Sequence, residues 1–120
     1  MKCLVIDGSG HEGGCTDRVC GRLSSALSDA GAETIVLRIP SQDITLCRGC
    51  GSCRDGPCPI RDGIADIVGT MPSCDTVVLA SPIRFSGLSS QTKALIDRMN
   101  VFWYDGRLKG RGLYAVLAAG

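Results

Sequence analysis

The spacing of apolar residues changes several times along the chain, and each change marks an element. Cys3 to Ile6 form a continuous apolar run, the pattern of a strand buried on both faces. From Thr16 to Ala30, the residues Val19, Leu23, Leu27 and Ala30 recur at helical spacing. Thr16 or Asp17 is placed to cap this helix and Gly31 to stop it. Glu33 to Ile39 alternates, with Ile35, Leu37 and Ile39 on one face and Thr34, Val36 and Arg38 on the other. That is the pattern of a half-buried edge strand, ended by Pro40.

Gly49 to Gly63 is a loop rich in Gly, Cys and Pro, and Ile64, Ile67, Val68 and Met71 then predict a short helix that Pro72 closes. Thr76 to Ala80 is a second continuous apolar strand, followed by the turn residues Ser81, Pro82, Ser86 and Gly87. A helix from about Ser89 to Val101 places Leu95, Ile96 and Met99 inward and Lys93, Asp97 and Arg98 outward, and Leu113 to Ala119 is a fourth apolar run. Strands alternating with helices predict an α/β fold, a parallel sheet covered by helices on both faces. No repeat, low-complexity tract or linker interrupts the chain, so one domain over 1–120 is expected, with a cysteine-rich insert at 47–59. No helical pattern follows the fourth strand, so the domain is expected to be incomplete at its C-terminal end.

Composition narrows the function. At 120 residues and 44% apolar, the chain is large enough for one buried core. Thirteen Lys plus Arg against twelve Asp plus Glu leave a net charge of +1, so there is no basic field of the kind nucleic acid attracts. The opening MKCLVIDG is too short for a signal peptide, and no run approaches the roughly 20 apolar residues that span a bilayer. A cytoplasmic location with no membrane partner is the expectation. Eight cysteines then stand out, because closely spaced cysteines in a reducing compartment point to metal or redox chemistry rather than disulfides.

Two segments carry candidate chemistry. Gly8, Gly10 and Gly13 spell G-x-G-x-x-G, but the loop runs on past Gly13, and the second strand ends in Arg38-Ile39-Pro40 instead of an acidic residue. A triphosphate loop needs Lys after Gly13, where this chain has Gly14. Ser9, His11, Cys15 and Thr16 around flexible glycines, leading into a helix N-terminus, suit one terminal phosphate such as that of FMN. An ordinary Gly-rich turn between strand and helix fits the same residues, and His11, the single histidine, is either a solvated loop residue or a phosphate contact.

The second segment is Cys47-x-x-Cys50-x-x-Cys53-x4-Cys58, four thiols within twelve residues. The first three match the arc that grips a cubane cluster in bacterial ferredoxins, and the absence of a second such run points to one cluster held by all four. Closed zinc sites usually pair cysteines across a longer loop, so the spacing favours a [4Fe-4S] cluster over zinc. Four inert or disulfide-bonded cysteines remain the third possibility. Cys3, Cys20 and Cys74 fit small core positions, and Cys15 a loop thiol near a ligand. Phe102, Trp103 and Tyr104, at the end of the third helix, fit local core or a dimer contact better than a ring-stacking platform.

Together these segments resemble the flavodoxin-like NADPH-dependent FMN reductases, and within them the iron–sulfur flavoproteins. The resemblance rests on Gly8-Ser9-Gly10-His11-Glu12-Gly13-Gly14-Cys15-Thr16, on the cysteine run with Asp62 and Ile64 after it, and on Ser81-Pro82-Ile83-Arg84-Phe85-Ser86-Gly87 leading to Lys93-Ala94-Leu95-Ile96-Asp97-Arg98. It implies a three-layer sandwich with strand order 2-1-3-4, the fifth strand missing and the family's glycine-rich loop falling beyond Gly120. It places Ser9, His11, Gly14, Cys15 and Thr16 around the FMN phosphate, and Pro82, Ile83, Arg84, Phe85, Ser86 and Gly87 beside the flavin ring. It makes Cys47, Cys50, Cys53 and Cys58 the cluster ligands, and Lys93, Asp97 and Arg98 packing or surface ion-pair residues. The implied function is electron transfer between the cluster and FMN in a homodimer or larger homo-oligomer, with ferredoxin or NAD(P)H as redox partner. The alternatives are a cluster-free NAD(P)H-dependent FMN or quinone reductase and a zinc-stapled binding module. Gly10, His11 and Cys15 replace the family's usual Pro, Arg and Asn, and Arg84 replaces a common aromatic.

Overall fold

A computed structural model describes residues 1–40 and 42–119. The elements run β1 (Lys2–Asp7), α1 (Cys15–Asp29), β2 (Glu33–Arg38), α2 (Gly63–Thr70), β3 (Thr76–Arg84), β4 (Gly87–Leu88), α3 (Ser90–Arg98), α4 (Val101–Asp105) and β5 (Gly112–Ala118). β1 pairs in parallel with β2 on one side and β3 on the other, and β3 pairs in parallel with β5. The parallel order β2-β1-β3-β5 is the 2-1-3-4 arrangement expected, and the fold is flavodoxin-like.

The apolar runs explain the layers. Leu4 and Ile6 of β1 and Val77 of β3 face Ile64, Ile67 and Val68 of α2, Ala94 and Leu95 of α3, and Val101 and Phe102 of α4, forming the larger core. Val5 and Val78 point the other way, to Cys20, Leu23 and Leu27 of α1. This second layer is thin: Leu113, Tyr114 and Leu117 of β5 stay exposed, and Tyr114 and Leu117 lie on opposite faces because side chains alternate along a strand. No helix of the described residues is long and apolar enough to cross a membrane.

Four expectations are corrected. α1 starts at Cys15 with Gly14 as its N-cap and no side-chain cap, so neither Thr16 nor Asp17 caps it. Ser81 to Arg84 continue β3 instead of turning, and β4 folds back antiparallel on them. The third helix breaks after Arg98, and α4 restarts at Val101, which buries Phe102 while Trp103 and Tyr104 stay exposed. Most consequentially, Arg98 lies inside: its side chain is 2% exposed and paired with Asp62. Lys93 and Asp97 do form the exposed pair expected one helical turn apart.

Candidate functional site

The loop between β1 and α1 is bolted to the neighbouring segments by its backbone. Gly8 N–H donates to Ala80 O at 2.7 Å, and Gly8 O accepts from the Ser89 hydroxyl at 2.7 Å. Ser89 caps α3, its Oγ accepting from Thr92 N–H, and its own N–H donates to the buried Ser81 hydroxyl. The loop and the β3–β4 segment are therefore set by one hydrogen-bonded knot, which fixes the two candidate cofactor segments relative to each other.

Within the loop, Asp7 accepts from Ser9 N–H and Asp17 accepts from Gly13 N–H. Arg38 joins Asp7, Asp17 and Glu12 in a run of ion pairs. The Gly13 N–H, with help from Arg38, holds the Asp17 carboxyl below the usual carboxylate range. The N–H groups of Cys15, Thr16 and Asp17, at the positive end of α1, have no acceptor among the described residues. Ser9 and Thr16 are buried, whereas His11, Gly10 and Cys15 are exposed. The loop thus brings Ser9, Gly14, Cys15 and Thr16 to one helix end, with the His11 ring against Gly14.

The β3–β4 hairpin closes through Phe85 and Ser86, both at positive φ (46° and 65°). Two left-handed residues in a row make the twist a tight hairpin needs, a role usually given to Asn-Gly. Phe and Ser there carry strain, and the Phe85 side chain is fully exposed. Pro82 is buried, Ile83 half-buried, and Arg84 and Gly87 exposed.

The cysteine run forms a separate recess of about 140 Å³ whose lining includes Cys47, Cys50, Cys53 and Cys58 together with Arg98 and Asn100. Three of the four sulfurs have a hydrogen-bond partner. Gly49 N–H donates to Cys47 Sγ at 3.4 Å and Asn100 Nδ2 to Cys53 Sγ at 3.5 Å. The Cys50 thiol donates to Ser52 Oγ at 3.4 Å, and the Ser52 hydroxyl and N–H hold Cys50 below the usual thiol range. Burial instead pushes the Cys20 thiol up to about 11, which disfavours its thiolate form.

Arg98 and Asp62, which sequence reasoning left out of the site, hold this recess together. Arg98 donates from Nη1 to Asp62 Oδ2 at 2.8 Å and from Nη2 to Asp62 Oδ1 at 3.0 Å, and also to the carbonyls of Thr45 and Ile60. Asp62 further accepts from the N–H groups of Thr45 and Ala65, the latter as N-cap of α2. Burial opposes charge on Asp62, but Arg98 and these N–H groups outweigh it and hold the carboxyl below the usual range. A depressed folded pKa adds stability above the unfolded value of about 3.9 and loses it as pH falls through the folded one. Acid unfolding monitored by circular dichroism is accordingly expected to be shallower below about pH 5 in Asp62→Asn than in the unaltered chain.

Residues 1–120 match the family described as NADPH-dependent FMN reductase. The chain belongs to this family. It is 34% identical over 99 residues to an iron-sulfur flavoprotein of Methanocaldococcus jannaschii, covering 82% of this chain and 51% of that protein. It is 32% identical over 112 residues to an iron-sulfur flavoprotein of Archaeoglobus fulgidus, covering 92% and 51%. The chain therefore spans about half the length of these relatives. A putative quinone reductase from Klebsiella pneumoniae has the same fold, with a TM-score of 0.77 at 15% identity over all of this chain and 60% of that one.

Whether a cluster suits this family member is a question for its donor set. Among the described residues, no three of His, Cys, Asp and Glu stand close enough to share a metal ion. The four thiols ring a recess without converging on one point. Their chemistry nonetheless fits a thiolate-held cluster, since all four cysteines line one recess and donors already address two of the sulfurs, those of Cys47 and Cys53. The one buried side-chain polar atom without a partner among the described residues, Arg98 Nε, belongs to the same lining.

Proposed function

We propose that this chain is the FMN- and cluster-binding core of an iron–sulfur flavoprotein, a flavin-dependent oxidoreductase. The observation that carries this reading is the recess lined by Cys47, Cys50, Cys53 and Cys58, which sits in a flavodoxin-like domain whose relatives bear that name. FMN supplies one- and two-electron chemistry and a [4Fe-4S] cluster supplies single electrons, so the protein's part is to place and tune them.

Ser9, Gly14, Cys15 and Thr16 would hold the FMN phosphate through hydroxyls and the free N–H groups of α1, with exposed His11 at the rim. Arg38 is committed to three carboxylates, so phosphate binding would rest on these neutral donors. Pro82, Ile83, Arg84, Phe85, Ser86 and Gly87 would flank the ring, and their strained turn keeps Phe85 projecting. Cys47, Cys50, Cys53 and Cys58 would ligate the cluster. Ferredoxin or NAD(P)H as electron partner, a homo-oligomer and a cytoplasmic location complete the proposal.

The test is the visible spectrum and the iron, sulfide and zinc content of anaerobically purified protein. Broad absorbance at about 400 nm with about four irons per chain is expected, and Cys50→Ser is expected to lose most of the iron. A yellow flavin spectrum without iron would make the chain a cluster-free reductase. Colourless protein with one zinc would make it a stapled binding module.

A further inference from the structure

The cysteine recess contains an imbalance that one residue resolves. Cys47, Cys50 and Cys53 each have a hydrogen-bond partner at the sulfur, supplied by Gly49 N–H, the Ser52 hydroxyl and Asn100 Nδ2. Cys58 has none. On the same lining, four guanidinium bonds of Arg98 are satisfied by Asp62, Thr45 and Ile60, while its Nε–H is buried without an acceptor among the described residues. A buried donor left unpaired is destabilising, so a fold keeps one when something else accepts from it.

We infer that Arg98 is the positioning residue of the cysteine loop, tying Thr45 before it to Ile60 and Asp62 after it, and that its Nε–H is the donor to the Cys58 sulfur, or to a cluster sulfide beside it. This rests on the cluster reading above. Thr45 and Ile60 bracket the four cysteines, so one guanidinium fixes both ends of the segment that must wrap the metal. Its plane serves this role as an ammonium cannot, since it offers five donors in a rigid fork.

The electrostatic consequence has a direction. Each electron taken up makes a thiolate-held cluster one charge more negative, and a charged donor at its sulfur stabilises that reduced form. Arg98 therefore raises the midpoint potential. Asp62, a carboxylate in the same buried pair, lowers it. The two substitutions must then move the potential in opposite directions, which a merely structural ion pair would not require.

The test uses the 120-residue chain reconstituted anaerobically with ferrous iron and sulfide, and titrated with dithionite while the reduced cluster is followed by electron paramagnetic resonance. Arg98→Lys is expected to shift the midpoint potential negative, and Asp62→Asn to shift it positive. An Arg98→Lys protein with full iron and an unchanged potential would overturn the inference while leaving the cluster reading intact. An unaltered chain that takes up no iron would overturn both. If Arg98→Lys does not fold, the Arg48→Lys/Arg54→Lys/Arg61→Lys protein, which removes three other arginines lining recesses with Cys58 or its neighbouring cysteines, is labelled with 15N at arginine Nε and decides the matter. A 15N hyperfine coupling to the reduced cluster is expected, and its absence would refute the assignment.

Discussion

Replacing Arg98 by methionine is expected to lower the stability of the chain by about 3–5 kcal/mol, the usual cost of removing one partner of a buried ion pair. The loss does not come chiefly from missing attraction. Asp62, 2% exposed, would remain in the interior with its countercharge gone, and the carbonyls of Thr45 and Ile60 would lose their donors. Asp62 would keep the N–H groups of Thr45 and Ala65, which limits the damage to the arginine's own share. Urea unfolding should show the midpoint falling with little change in slope. Adding Asp62→Asn to Arg98→Met should recover part of the loss by removing the stranded charge, and a double variant less stable than Arg98→Met alone would argue against that origin.

Gly8→Ala is expected to have the second large effect. A Cβ at Gly8 would stand 2.0 Å from Thr92 Oγ1 and 2.7 Å from Ala80 O, the second a backbone atom of the central sheet. Neither neighbour is free to move. Thr92 is fully buried in the hydroxyl knot with Ser89, and Ala80 O accepts from Gly8 itself. Overpacking typically costs about 1–3 kcal/mol, and here it also separates the loop from the cap of α3, so flavin affinity should fall with stability. Gly10→Ala is the control, because its new methyl meets only the flexible amide end of Gln91. Thermal unfolding and FMN titration of the two variants should diverge, and equal behaviour would show that the knot does not set the loop.

These two residues also show where the sequence could be read and where it could not. The apolar runs at Cys3 to Ile6 and Thr76 to Ala80 were sufficient for the parallel sheet, because strands buried on both faces leave few other arrangements. Gly8 was legible as a loop glycine, but the reason for it is Thr92, more than eighty residues away, which no local pattern contains. Arg98 was misplaced because its charge outweighed its position. It falls three residues after Leu95 and four after Ala94, on the buried stripe of α3, and a charge on that stripe requires a buried partner. Asp62, ahead of the Ile64, Ile67 and Val68 stripe, was the acid available. The β3–β4 hairpin was hidden for a different reason, since Phe and Ser are poor predictors of left-handed backbone and Pro82 disguised a continuing strand as a turn.

The exposed strand β5 has a practical meaning for any preparation of these 120 residues. Its outer edge offers unpaired backbone groups among the described residues, and Leu113, Tyr114 and Leu117 leave greasy patches above and below that edge. An edge of this kind is a template for lateral growth, on which a second copy, or another strand of the right register, can continue the sheet. In such a preparation, self-association seen by light scattering is expected to rise with concentration and to originate far from the thiols, at the opposite end of the sheet from β2.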